Sequence, residues 1–181
     1  MNNIEASIIS ILKAIDEDSG REGLAKTPQR YKCFIEDFVK PPKFSPTIFA
    51  SEGYDEMVVQ TGISFYSICE HHLIPFFGTG AIAYIPNKHI IGLSKLARTL
   101  EHFSRRLQNQ ERITSQVANY LQTTLEPKGV GVVVNARHLC MEMRGVRKFG
   151  AQTTTSALRG YFKTRPQTRS EFLNLARGDR I

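Results

Sequence analysis

The hydrophobic period of this chain changes near Met57, and that change restricts the folds open to it. Upstream, Ile4, Ile8, Ile11, Leu12 and Ile15 recur at helical spacing until Asp16 to Gly20 end the run. Tyr31, Phe34, Ile35 and Phe38 give a second helix a stripe expected to be buried. Thr27-Pro28 reads as its N-cap and first-turn proline, and Pro41-Pro42 stops it. Residues 41–54 read as loop. From Met57 the runs are β-rich: 57–59, Ile63 to Cys69, and Gly80 to Ile85, bounded by Gly, Pro and Asn. Helical spacing returns from Ser94, read as an N-cap, with Leu96, Leu100, Phe103 and Leu107 on one face. It recurs from Glu111 to Leu125, before Pro127 and Gly129. A strand then opens at Gly131 and is expected to run to about Met143, with Thr153 to Phe162 as its hairpin partner and Ser170 to Arg177 as a last short helix. Strands that come in pairs, between pairs of helices, imply an α+β class: an antiparallel sheet packed with helices. The expected division is an N-terminal helical segment over 1–48 and a main domain over 49–181.

With 181 residues, 41% apolar and 23% charged, the chain has the composition of an ordinary globular domain, and chain-wide disorder is excluded. No run of about 18 apolar residues occurs, so no membrane-spanning helix is expected. The first apolar stretch carries acids and lacks a basic start and a small-residue cleavage site, which implies no signal peptide and a cytoplasmic address. Three cysteines do not make a disulfide scaffold. The net charge of +7 is confined to the last third: residues 1–127 hold 13 Lys/Arg and 14 Asp/Glu, while 128–181 hold 11 Lys/Arg against Glu142, Glu171 and Asp179. Such asymmetry suits an anionic partner, a phosphorylated small molecule among them, although a solvated basic face accounts for it equally.

Three of the five histidines, His71, His72 and His138, lie beside cysteines. Cys69-Glu70-His71-His72 puts a thiolate and an imidazole three residues apart, a spacing from which both reach one ion out of a turn. His138-Leu139-Cys140 follows 66 residues after His72, with both side chains on one face if the segment is a strand. Cys69, His72 and Cys140 form a set suited to Zn²⁺, and three protein ligands rather than four leave a position for water. His71 and His138 would then stand beside that water, where acid–base groups belong. Spacing alone also admits a chance Cys-x-x-His and cysteines that merely pack. His89 and His102 read as structural or solvated, and Cys33 as a small core residue. Ser94, Lys95 and Arg98 gather a hydroxyl and two cations at a helix start, a cradle for phosphate or an ordinary exposed face. Arg144 shares the face of Cys140 if the strand continues. Gln110 and Glu111 open the next helix, and a buried carboxylate there can accept two N–H bonds from a guanine edge or simply complement the helix dipole.

Taken together, these residues resemble the GTP cyclohydrolase I family. The matching segments are Arg21 to Leu24 and Thr27 to Arg30; Ser67-Ile68-Cys69-Glu70-His71-His72; Ala83 to Pro86; Ile91 to Arg98; Arg106 to Arg112; and Ala136 to Val146, covering residues 20–177. The resemblance implies a tunnelling fold, with 49–181 as its catalytic domain, that assembles as a decamer of two pentamers with active sites where subunits meet. It implies zinc-dependent opening of the guanine imidazole ring of GTP at C8, release of formate and formation of 7,8-dihydroneopterin triphosphate. By position, Cys69, His72 and Cys140 fall on the zinc ligands, and His71 and His138 on the catalytic histidines. Glu111 falls on the guanine-holding residue, with Gln110 helping to hold the nucleotide. Ser94, Lys95, Arg98 and Arg144 fall on ribose and triphosphate contacts, and Arg30 on another basic residue of that pocket. Some relatives have a lysine where this chain has Cys33, beside Lys32, and the N-terminal segment is shorter than in many, which implies no regulatory extension. Neither nucleic acid nor membrane is an expected partner. A nucleic-acid binder built on the basic tail around Tyr161 and Phe162 leaves the Cys/His/Cys set without a use. A tunnelling-fold reductase of the queuosine route would need a nucleophilic cysteine outside a metal site.

Overall fold

A computed structural model describes residues 3–16 and 18–177; Asp179 and Arg180 of the basic tail lie outside them. The chain forms two compact units, 1–40 and 41–181. The first holds helices α1 (Asn3–Ile15) and α2 (Thr27–Phe38), separated by a single 3₁₀ turn at Glu22–Leu24. Glu5 and Lys32 bridge the helices at 3.2 Å. Pro28 sits in the first turn of α2 as expected, but the cap position is Lys26, and the Thr27 hydroxyl bonds back to Gly23 O. The aromatic stripe is not buried: Tyr31 and Phe34 are 37% and 40% exposed, and Cys33 is exposed rather than core. Two short helices enclose too little volume to cover such side chains.

The second unit starts at Pro41, and its first residues pack within it. His102 Nδ1 meets Pro42 O at 3.2 Å, and Phe44 packs on His102 and Tyr120. Strand β1 (Ile48–Ala50) pairs antiparallel with β4 (His89–Ile91), two short strands that the periodicity does not mark. The main sheet runs β5-β2-β3-β6-β7, from β2 (Val58–Cys69), β3 (Pro75–Ile85), β5 (Leu107–Gln108), β6 (Gly129–His138) and β7 (Gln152–Gly160). Its neighbours are antiparallel, save the two-residue β5 alongside the end of β2. The β2 runs seen as separate are one strand with a register shift between Gln60 and Ile63, where Gly62 takes φ of +66°.

Alternation decides what each face of the sheet does. Val130, Val132, Val134 and Ala136 of β6 point to one side and meet α3 (Leu93–Ser104) and α4 (Gln110–Leu125), whose Leu96, Leu100, Ile113, Val117 and Leu121 are fully buried. On the other side a smaller cluster of Ala81, Ala83, Phe162 and Phe172 seats α6 (Tyr161–Thr164) and α7 (Pro166–Ala176). Gly131 permits that seating, since a Cβ there would lie 2.8 Å from both phenylalanine rings. Helix α3 begins one residue before Ser94, with Gly92 at the cap position, so Ser94 is a first-turn residue and not the N-cap.

Strand β6 ends at His138, five residues short of expectation. Arg137 grips Glu142 through two bonds of 2.8 and 2.6 Å and folds the chain into a helical turn, α5 (Leu139–Glu142). His138 and Cys140 therefore do not share a strand face, and Arg144 lies on the loop that follows.

Candidate metal centre and nucleotide site

The end of β2 turns sharply back on itself. Cys69 N–H donates to Ile74 O (3.0 Å), while the N–H groups of His72 and Leu73 donate to Cys69 O (3.3 and 2.8 Å). Leu73 takes the left-handed conformation this tight return needs, with φ of +55°. The reversal brings His72 Nδ1 to 3.7 Å from Cys69 Sγ. Cys140 arrives from α5, and one donor atom from each of Cys69, His72 and Cys140 lies within 4.8 Å of the others. A tetrahedral zinc with bonds of about 2.0–2.3 Å sets its ligands roughly 3.5–3.8 Å apart, so this soft, Cys₂His donor set fits such an ion after a small closure. Cys69 is buried, Cys140 half-buried and His72 exposed, so one side of the cluster faces solvent. Burial and the neighbouring Cys69 push the Cys140 thiol up, partly opposed by the Arg144 charge. A dication reverses that balance, and its binding releases protons.

His138 stands beside this cluster at the end of β6, with its ring stacked on Phe76 at 4.6 Å and 6°. The strand register explains the stack, because Phe76 and His138 are cross-strand partners. His138 Nε2 meets Gln110 Oε1 at 2.7 Å. The Gln110 amide cannot be reversed, since its Nε2 donates to the Val134 and Thr153 carbonyls (3.0 and 2.9 Å) and contacts Thr155 Oγ1 (3.1 Å). An acceptor oxygen must then face the imidazole, so Nε2 carries a proton and Nδ1 is the nitrogen left for proton exchange. Burial pushes the His138 imidazole below its usual range, against an opposing pull from the Glu111 carboxylate.

Gln110 is 2% exposed, and its side-chain amide is spent on His138, Val134, Thr153 and Thr155. Glu111, one residue on, is exposed rather than buried. His71 is exposed, with Nδ1 3.8 Å from Cys69 Sγ. Ser94, Lys95 and Arg98 lie on the first two turns of α3, and Arg144 lies on the exposed loop after α5. Among the described residues, no carboxylate lies within ion-pair distance of Lys95, Arg98 or Arg144. Arg30 is an exposed residue of α2. His102 is structural, as its bond to Pro42 O requires, and His89 is an exposed residue of β4. Sequence reasoning missed Phe76, which only strand register identifies. It also missed the partners of Glu70, which sits inside the Cys-Glu-His-His motif.

The chain has known relatives along nearly its whole length. The family model for GTP cyclohydrolase I matches residues 4–177. GTP cyclohydrolase 1 of Aquifex aeolicus is 52% identical over 176 residues, 97% of this chain and 96% of its own length. The Leptospira biflexa protein of the same name is 50% identical, over 96% of this chain and 98% of its own. Among solved structures, an archaeosine synthase QueF-like protein in the apo form has a TM-score of 0.48 at 14% identity, over 57% of this chain and 93% of its own. A family match across nearly the whole chain, with relatives about half identical over most of their own length, places this α+β, tunnelling-fold chain in the GTP cyclohydrolase I family.

Proposed function

We propose that this chain is a zinc-dependent GTP cyclohydrolase I, hydrolysing GTP to formate and 7,8-dihydroneopterin triphosphate at the head of folate and pterin synthesis. The observation that carries the reading is the meeting of Cys69, His72 and Cys140 beside a histidine whose protonation is fixed from behind. Zinc held by those three side chains would supply Lewis-acid activation of water at neutral pH. The chain's own groups do the rest. Glu111 accepts the N1–H and 2-amino hydrogens of guanine, a pattern adenine does not present. Lys95, Arg98 and Arg144, with no carboxylate partner among the described residues, bind triphosphate oxygens together with Ser94, and so orient C8 toward the ligand cluster. Water adds at C8, and His138, through Nδ1, and His71 exchange protons with the imidazole-ring nitrogens as the C8–N bonds break. Ring opening gives a formamide, whose hydrolysis releases formate; the ribose then opens and isomerises to a 2-keto sugar, whose carbonyl condenses with the freed amine with loss of water.

The assembly we propose is the family's decamer of two pentamers. In its support, the outer edges of β7 and of most of β2 carry backbone groups that no strand among the described residues pairs. Cytoplasmic residence fits three unpaired cysteines and described helices none of which is long and apolar enough to cross a membrane. Incubation with GTP tests the reading. One formate per GTP should appear, with a pterin that fluoresces after oxidation, and a chelator should abolish both until zinc is returned. Release of phosphate without formate would contradict it.

A further inference from the structure

Glu70 is the second residue of the turn that carries Cys69, His71 and His72, and its Oε1 lies 3.9 Å from His71 Nε2. Arg112 holds it at two points, Nη1 to Oε2 at 2.6 Å and Nη2 to Oε1 at 2.9 Å, and Asn109 Nδ2 adds a third bond at 3.3 Å. The Glu70 N–H donates to Gln108 O at 3.0 Å. The guanidinium also reaches Gln108 Oε1 at 3.3 Å, and the buried Gln108 amide donates to Phe103 O and Gln116 Oε1. The Arg112–Glu70 pair is thus one end of a chain of bonds rooted in the interior, unlike an isolated surface ion pair. Asn109 is the N-cap of α4 as well, accepting from Arg112 N–H at 2.8 Å. Gln110 and Glu111 lie between these two anchors.

We propose that Arg112 and Glu70 are positioning residues whose two-point clamp fixes the Cys69–His72 turn against the first turn of α4. The clamp keeps two of the ion's ligands in register with the carboxylate that reads guanine and the amide that orients His138. This inference rests on the zinc reading above. Outer groups that orient ligands commonly contribute about 10–100-fold in metal affinity or activity. Arg112→Ala and Glu70→Gln should therefore each release zinc to a chromogenic chelator on the order of 10-fold faster than wild type and lower kcat more than they raise KM. The double variant should be no worse than the worse single one, since both remove the same clamp. Arg112→Lys, which keeps the charge but loses the fork, should lie between. Lys128→Ala, which removes the exposed pair with Asp55 at 3.2 Å, should change neither quantity. Wild-type protein that takes up no zinc overturns the metal reading and this inference with it. Wild type holding one zinc, with Arg112→Ala releasing it at the same rate, overturns the inference alone, as do single effects that simply add.

Discussion

At the scale of single residues, the site is governed by groups that never need to touch substrate. Gln110 spends its amide hydrogens on Val134 and Thr153, and the oxygen that remains decides which nitrogen of His138 is protonated. His138→Ala should lower kcat by about 10²–10⁴ while the protein keeps one zinc per chain, as measured by metal analysis beside the rate. Gln110→Ala should also lower kcat with zinc retained, because the imidazole loses its orientation. The Cys69–His72 half of the candidate donor set was legible because the two residues are three apart in a turn, whatever the rest of the fold does. Cys140 was assigned to the same set through a strand that does not exist there. The donor set survives because α5 delivers the thiol in place of strand alternation. Gln110's burial was not legible, since the first turn of an isolated helix gives no sign of which side chain meets a neighbouring sheet.

Elements were read best where a period runs long. Helix α4 begins within one residue of expectation, and β6, β7 and the helical face over them follow the pattern of the sequence. Failures occur where a contact outside the periodic pattern sets the end of an element: Arg137 with Glu142 stops β6, and Gly92, whose N–H donates to Thr47 O and whose carbonyl accepts from Lys95 N–H, takes the cap from Ser94. The three-residue strands β1 and β4 and the two-residue β5 are too short to carry a period at all. The small side of the sheet provides the sharpest stability test. Gly131→Val would push a side chain onto Phe162 and Phe172, which have nowhere to move because both are fully buried. A loss of about 2 kcal/mol is expected in chemical denaturation, with the zinc content of the folded protein unchanged.

At the scale of the molecule, the basic excess is less available than its arithmetic implies. Arg137 is tied to Glu142, Arg159 to Asn119 and Leu158 O, and Arg169 to the Phe162 and Lys163 carbonyls. The loop after α5 is different: Met143, Val146 and Phe149 are 66%, 61% and 87% exposed beside Arg144 and Arg147. Apolar side chains presented together to solvent mark a contact surface. In the proposed ring of 20.5 kDa chains, Phe149→Asp should therefore lower the assembly's mass in sedimentation, with GTP turnover falling in step. No periodicity in the sequence announces that ring, because an edge strand looks the same whether its partner is its own chain or another. The ion itself gives the most direct test of the account. X-ray absorption at the zinc edge, on protein loaded with one equivalent, should give two sulfur neighbours at about 2.3 Å and two nitrogen or oxygen neighbours near 2.0–2.1 Å, falling to one sulfur in Cys140→Ser. A shell of four sulfurs, or one with none, would contradict it.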